Sequence, residues 1–223
     1  KFIFSLTLLF STLNIYLFSS LIIRKGFFKK HYEDILIIIL IFLFSIILFL
    51  SIKNSKIIDV LSGVISSIGT SGLSFYKPPS NFNLFFVFLT ILGGSIMSNS
   101  SGIKFLRFYV LLKSLFLEIF KLVTPNIVID QRIFKSDYKI NTENINVSFL
   151  IFISFFISLL VLSSFLSAGD LNFEKSFKLS ILTLTNTVNS DLYGLNNLNF
   201  SDLLTTSKVS IIIFMIIGKI ELI

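Results

Sequence analysis

A strip of small and hydroxyl-bearing residues, SSIGTSGLSF at 66–75, separates two strongly apolar stretches of the chain. Backbone outside a helix is tolerated at membrane depth only where it lines water or is buried in protein. Glycine gives such a backbone access to left-handed angles, and successive carbonyl oxygens can then replace the hydration shell of a cation. The strip therefore indicates cation coordination, although the same composition taken alone is also typical of an ordinary loop.

A second polar break, GGSIMSNSSG at 93–102, interrupts an apolar stretch that starts at 84–92 and resumes at 105–123. Its length and its serine and asparagine content favour a pore-lining or gating segment. Its glycines could instead allow close helix packing, as small residues do in membranes. Lys104 follows the break, and we interpret it either as a gate residue or as a lysine that extends to the cytoplasmic edge of the membrane.

Catalytic and metal-site chemistry has few candidate residues in this sequence. The chain has no cysteine and a single histidine, His31, and we find neither a Ser/His/Asp set nor a phosphate-cradling loop. We therefore expect no enzymatic activity and no cofactor. Lys219 and Glu221 lie inside an apolar run, where a carboxylate is usually paired or functional, so we expect them to form a structural ion pair.

The composition is that of a membrane protein. Of the 223 residues, 54% are hydrophobic and 28 are phenylalanine, and the mean hydropathy is +0.91. A soluble domain of this length is usually less apolar. The loops at 24–34 and 104–143 hold eleven of the nineteen Lys and Arg residues. The net charge of +7 therefore indicates cytoplasmic loops rather than nucleic-acid binding.

The apolar pattern predicts an all-α, polytopic membrane protein with repeated helix–pore-loop–helix units and re-entrant half-helices. Long apolar helices are expected at 35–52 and 145–166, and shorter apolar pieces, too short to cross a bilayer, at 57–67 and 173–187. A further helix is expected at 2–23 and the start of another at 208–223. The order long helix, short helix, polar strip, long helix thus occurs twice, with Gly69 and Val188 at corresponding places.

This order resembles that of the TrkH/KtrB superfamily of potassium uptake proteins, as do the motifs SSIGTSGLSF, GGSIMSNSSGIKFLR and IIGKIEL. Members of the superfamily carry four such repeats around one ion path. The resemblance implies that 1–34 is the last helix of the second repeat with its cytoplasmic loop, that 35–143 is the third repeat, and that 144–223 is a truncated fourth repeat. It also implies that the chain is a piece of a longer protein.

The resemblance assigns roles to individual residues. Gly69 matches the filter glycine of the family, and Lys104 matches the basic end of the gate. The K+ filter, with K+ as the only metal, would comprise Ser66, Ser67, Ile68, Gly69, Thr70, Thr185, Asn186, Thr187 and Val188. The gate would comprise Gly93, Gly94, Ser95, Ser98, Asn99, Ser100, Gly102 and Lys104.

Several positions depart from the family pattern. Val188 stands where the fourth filter usually has glycine, and an alternative alignment places that filter at 189–195 with Leu192 at the glycine position. In the gate, Met97 and Ser101 replace usual glycines. These departures put the selectivity for potassium over sodium in doubt more than the passage of cations.

The resemblance implies transmembrane transport of potassium or another monovalent cation in the bacterial inner membrane. The implied partners are the lipid bilayer, the remaining repeats of the full-length chain, a second copy in a homodimer and a cytoplasmic nucleotide-binding regulatory subunit, with no nucleic acid. Three alternatives remain: a carrier that couples sodium and potassium, a non-selective cation permease, and a structural membrane subunit. An intramembrane enzyme would require a cluster of charged residues at bilayer depth, for which only Lys219 and Glu221 are available.

Overall fold

The described part of the chain is built of α-helices joined by loops and short 3-10 helices. The computed structural model describes residues 2–17, 31–52, 55–123, 140–169, 171–195 and 198–220, and no strand occurs within these ranges. The predicted all-α fold is therefore confirmed. The helices are α1 (Phe2–Thr12), α2 (Tyr32–Ser51), α3 (Ile57–Ile68), α4 (Asn83–Leu92), α5 (Phe105–Val123), α6 (Thr142–Ala168), α7 (Phe173–Leu184) and α8 (Thr205–Ile220).

Two of these helices, α2 and α6, are long and apolar enough to cross a membrane. Most of their large apolar side chains are not covered by the rest of the chain; Phe42 and Ile46 on α2 and Ile157 on α6, for example, are about half exposed. Such wide apolar surfaces are unusual on soluble monomers and suit contact with lipid or with further membrane helices.

The helices form two sets with the same order, α2–α3–α4 and α6–α7–α8. In each set a short helix is enclosed by longer ones: α3 packs against α1, α2 and α4, and α7 packs against α6, α8 and α4. The last seven residues of each short helix are buried. Because α4 contacts both short helices, it joins the two sets.

The buried halves of α3 and α7 contain serine and threonine as well as aliphatic residues. In α7, the hydroxyl of Ser180 donates to the Ser176 carbonyl and that of Thr183 to the Leu179 carbonyl, each over 2.7 Å. These two hydroxyls of α7 thus use carbonyls of the preceding helical turn, which lets small polar side chains remain inside.

The prediction of one helix over 2–23, of which 18–23 lie outside the described residues, is wrong because α1 ends at Thr12. The backbone N–H of Asn14 donates to Oδ1 of Asp34 over 2.9 Å, and the Asn14 side chain accepts from the N–H of Tyr16. The other oxygen of Asp34 lies 3.3 Å from Nδ1 of His31. A buried carboxylate from α2 therefore replaces a helical partner, which stabilises the break in the helix.

Candidate functional site

Helix α3 continues into the predicted filter. Ser66, Ser67 and Ile68 form its last turn, so the short piece expected at 57–67 ends one residue later and the first three predicted filter residues are helical. The N–H groups of Gly69, Thr70 and Ser71 donate to the carbonyls of Ile65, Ser67 and Ser66 over 2.8, 3.0 and 3.1 Å. Thr70 has a φ of +50°. This arrangement is a left-handed helix cap that satisfies the last carbonyls of α3.

Helix α7 ends with the same cap. The N–H groups of Thr185, Asn186 and Thr187 donate to the carbonyls of Ile181, Thr183 and Leu182 over 2.9, 3.1 and 2.9 Å. Asn186 has a φ of +50°, equal to that of Thr70.

The matched caps fix which residues of the two sets correspond. Gly69 corresponds to Thr185, Thr70 to Asn186, and Gly72 to Val188. The predicted correspondence of Gly69 with Val188 is therefore wrong by three residues. The signal that finds the right register is the last apolar residue of each short helix, Ile68 in α3 and Leu184 in α7.

Residues 71–73 and 187–189 follow the two caps at equivalent positions, and we call them the first and second carbonyl segments. No backbone N–H of the described residues donates to the carbonyls of either segment. A Cβ added to Gly72 would overlap the Val188 carbonyl, so the two segments meet backbone to backbone. They differ in conformation, because Gly72 has a φ of +69° whereas Val188 does not adopt a positive φ.

The alternative alignment at 189–195 places its key residue elsewhere. Leu192 belongs to the short 3-10 helix Asp191–Tyr193 and is fully buried. Its side chain lies against α3 near Gly63. Leu192 therefore contributes to the packing between the two sets rather than to either carbonyl segment.

The predicted break between α4 and α5 is present, and we call residues 93–104 the break loop. Gly93 and Gly102, at its two ends, have φ values of +57° and +83°. The N–H of Ile103 donates to the Ile91 carbonyl over 2.9 Å, and that of Phe105 donates to the Gly94 carbonyl over 3.0 Å. The end of α4 is thus bonded to the last part of the break loop, and the start of α5 is bonded to its first part, so the two ends of the loop lie side by side.

Serine hydroxyls and one ammonium group organise the break loop. The Ser100 hydroxyl accepts from the Gly94 N–H and lies 2.7 Å from the Ser98 hydroxyl, which donates to the Ser95 carbonyl. The Lys104 ammonium donates to the carbonyls of Ser98, over 3.1 Å, and of Ser100. Lys104 is only 3% exposed. The interpretation of Lys104 as a lysine extending to the membrane edge is therefore wrong, since it binds inside the loop.

The first cap contacts the break loop through a side chain. The N–H of Ser101 donates to Oγ1 of Thr70 over 2.8 Å, and both residues are buried. This bond links the end of α3 to the loop between α4 and α5.

Two other helices hold the loop from outside. The Ser95 N–H donates to the Thr12 carbonyl at the end of α1 over 3.0 Å. The Ile96 N–H donates to Oε1 of Glu33 at the start of α2 over 2.9 Å. Met97 and Asn99, in contrast, are exposed. The sequence did not single out Glu33, since an acidic residue at the start of a helix is also expected as a simple complement to the helix dipole.

Other predicted site residues stay untested. Lys219 lies on the last turn of α8 and is exposed, whereas Glu221 lies outside the described residues, so the ion pair between them remains a prediction. Within the described ranges, no three His, Cys, Asp or Glu side chains come together in a way that could hold a metal ion.

Comparisons with known proteins show which fold the chain resembles. No protein-family profile matches the chain. It is 30% identical over 181 residues to an uncharacterized cation transporter of Methanocaldococcus jannaschii, an alignment that covers 78% of this chain and 36% of the relative. It matches the crystal structure of the potassium transporter TrkH from Vibrio parahaemolyticus with a TM-score of 0.81 and 21% identity. That match covers 98% of this chain and 49% of TrkH, so the chain spans about half of that transporter.

The agreement with TrkH extends over 98% of the chain. Together with the apolar α2 and α6, it identifies the chain as a membrane protein with a TrkH/KtrB-like fold, as its motifs predict.

Proposed function

We propose that the complete protein containing this chain conducts monovalent cations, foremost K+, across a membrane through a filter of backbone carbonyls, with the break loop as its gate. One observation carries this proposal. The carbonyls of the two carbonyl segments accept no backbone hydrogen bond from the described residues, occupy equivalent positions after equivalent caps, and lie where the two segments meet at Gly72 and Val188. Gly72 and Thr187 are buried whereas Leu73 and Val188 are about half exposed, so each segment runs from the interior to an open face of the chain. Buried carbonyls usually have a partner, so their repetition in both sets favours a bound species.

A cation suits these groups better than an anion or a neutral solute. Carbonyl oxygens carry partial negative charge and can replace the water molecules around a dehydrated monovalent ion. Both segments also follow the carboxyl ends of helices, α3 and α7, where the helix dipole places partial negative charge. No covalent step is part of the proposal, and neither an enzymatic residue nor a cofactor is needed.

The register of the caps defines which residues form the proposed filter. The caps at 66–70 and at 185–186 position the filter, and the carbonyls of residues 71–73 and 187–189 provide the oxygen ligands. The predicted filter residues Thr187 and Val188 thus stay in the filter, whereas Gly72 takes the role first given to Gly69.

A less selective cation permease is a second candidate, because the two carbonyl segments are not equivalent in conformation. Gly72 has a left-handed backbone and Val188 does not. A cage built from unequal segments is less regular than one built from equal segments, and discrimination between K+ and Na+ depends on the number and arrangement of the oxygens.

The test uses the complete gene in cells that lack their own potassium uptake. We expect growth at low external potassium and rubidium uptake that excess K+ suppresses more strongly than excess Na+. Equal suppression by both ions would favour the non-selective permease, and absence of uptake by a membrane-inserted protein would refute cation conduction. The matched variant Val188→Gly should strengthen the preference for K+ over Na+, because it makes the two segments alike.

The assembly is also a proposal. The remaining repeats would cover exposed apolar surfaces of this chain, and this is supported by its span of 49% of TrkH. A homodimer, a cytoplasmic nucleotide-binding regulatory subunit and the bacterial inner membrane are proposed from the resemblance. The similar cation transporter of Methanocaldococcus jannaschii, by comparison, comes from an archaeon. Membrane fractionation and cross-linking of the complete protein would test these points.

A further inference from the structure

We propose that Thr70 is a positioning residue whose hydroxyl couples the cap of α3 to the break loop. The proposal adds a residue-level link between the two parts of the proposed function, and its relevance to transport rests on that function. Three observations on the described residues carry it.

The first observation is the bond itself. A broken helix leaves backbone N–H groups without their helical acceptors, and such groups require another partner when they are buried. The N–H of Ser101 is such a donor, and it finds its acceptor in Oγ1 of Thr70 at 2.8 Å. Ser101 and Thr70 are 4% and 7% exposed, so bulk water does not readily replace this acceptor.

The second observation is the backbone of Thr70. Its φ of +50° lies in the left-handed region, which is an outlier for a β-branched residue. Asn186 occupies the equivalent position with the same φ, and asparagine is one of the side chains that tolerate it. Glycine or asparagine would serve the cap of α3 better than threonine does. The presence of threonine is therefore explained by its side-chain acceptor rather than by the cap.

The third observation is the contrast with the second set. There the amide Nδ2 of Asn186 donates to the carbonyl of Met215 over 3.1 Å. Met215 lies within α8, which is unbroken from Thr205 to Ile220, so the N–H groups around it are used within the helix. Only carbonyl lone pairs are available there, and the cap residue is a donor. In the first set the helix is broken between α4 and α5. The N–H of Ser101 is available there, and the cap residue Thr70 is an acceptor.

A buried thiol in the break loop provides the test. Ser95 is fully buried, and its hydroxyl has no hydrogen-bond partner among the described residues, so Ser95→Cys replaces it with little disturbance. The chain has no cysteine of its own. The experiment uses the complete protein with any cysteines outside this chain replaced. A water-soluble maleimide should modify the cysteine of Ser95→Cys only when the break loop moves away from α1, α2 and α3 and exposes it.

We expect Thr70→Val, which keeps the shape and the β-branch, to raise the modification rate on the order of tenfold because it leaves the Ser101 N–H without an acceptor. Thr70→Gly should raise the rate as well, and it guards against misfolding because glycine relieves the backbone strain. Thr70→Ser, which keeps the hydroxyl, should match the parent. Asn186→Gly should leave the rate unchanged, since its amide binds α8 instead.

The coupling would be refuted by unchanged labelling in both Thr70→Val and Thr70→Gly, or by equal acceleration in Thr70→Ser. Rubidium uptake measured on the same variants separates the two proposals. Loss of uptake in the parent with the expected labelling pattern would overturn cation conduction and leave the coupling intact. Normal uptake in the parent with identical labelling in all variants would overturn the coupling and leave cation conduction intact.

Discussion

Substitution of Gly72 should damage the protein more than substitution of Gly69, although both glycines belong to the polar strip. An alanine at 72 must adopt a φ of +69°, which costs an L-residue about 1–2 kcal/mol. Its Cβ would also overlap the Val188 carbonyl, and overpacking of this kind costs about 1–3 kcal/mol. Together these terms give about 2–5 kcal/mol, a large part of the stability of a typical protein.

Gly69 differs in its backbone and in its neighbours. Its φ of −73° suits any residue, and replacing glycine at a compatible position usually stabilises by about 0.4–1 kcal/mol. A Cβ there would lie 3.0 Å from the methyl group of Thr12 and 2.9 Å from the Ile65 carbonyl, a tight fit that offsets this gain. We therefore expect Gly69→Ala to destabilise by about 1 kcal/mol, less than Gly72→Ala, because overpacking applies at both positions but backbone strain only at 72.

The assay compares Gly72→Ala, Gly69→Ala and the parent in the complete protein, by thermal unfolding in detergent and by rubidium uptake in cells. Gly72→Ala should unfold at a clearly lower temperature and lose uptake, while Gly69→Ala stays close to the parent in both. Equal or greater damage from Gly69→Ala would contradict the close backbone approach of Gly72 to Val188.

Three further substitutions test the surroundings of the site. Lys104→Met should destabilise the break loop by about 3 kcal/mol, because two carbonyls lose a charged donor. Hydrogen exchange of the break-loop amides should become faster. The control Lys121→Met, which removes an exposed ion pair, should change little. Gly218→Ala should lower the unfolding temperature despite the better helix propensity of alanine, since the added Cβ would overlap a carbonyl at the end of α7; a higher temperature would contradict this packing. A hydrogen bond from Lys178 lowers the pKa of the exposed Glu174. The pair should therefore add slightly to stability at neutral pH, and this contribution should disappear as the pH falls through the pKa of Glu174. When unfolding is followed across the acid range, Glu174→Gln should lack this pH-dependent contribution.

The sequence predicts the helices better than it predicts their ends. Long apolar runs locate α2 and α6, and the shorter runs locate α3 and α7, because burial and lipid contact both select apolar residues over the length of a helix. The end of α1 at Thr12 is missed. That end depends on the carboxylate of Asp34, which is distant in sequence and becomes a neighbour of Asn14 only through packing.

The candidate site shows the same limit at residue level. The break loop is recognised because glycine and serine in an apolar run are unusual. The register between the two sets is not apparent from matching glycines, because the helix hydrogen bonds end at positions set by Ile68 and Leu184. The bond from Ser101 to Thr70 could not be predicted either, because composition does not reveal which broken-helix donor meets which side chain.

The direct hydrogen bonds from Ile103 to Ile91 and from Phe105 to Gly94 have a mechanical consequence. They hold the two ends of the break loop together, so the residues between Gly94 and Ile103 can change shape while the ends of α4 and α5 keep their spacing. A rearrangement of these residues would break their bonds to Thr12, Glu33 and Thr70 but need not move a whole helix. Its timescale would be that of a loop rather than that of a rigid-body helix movement.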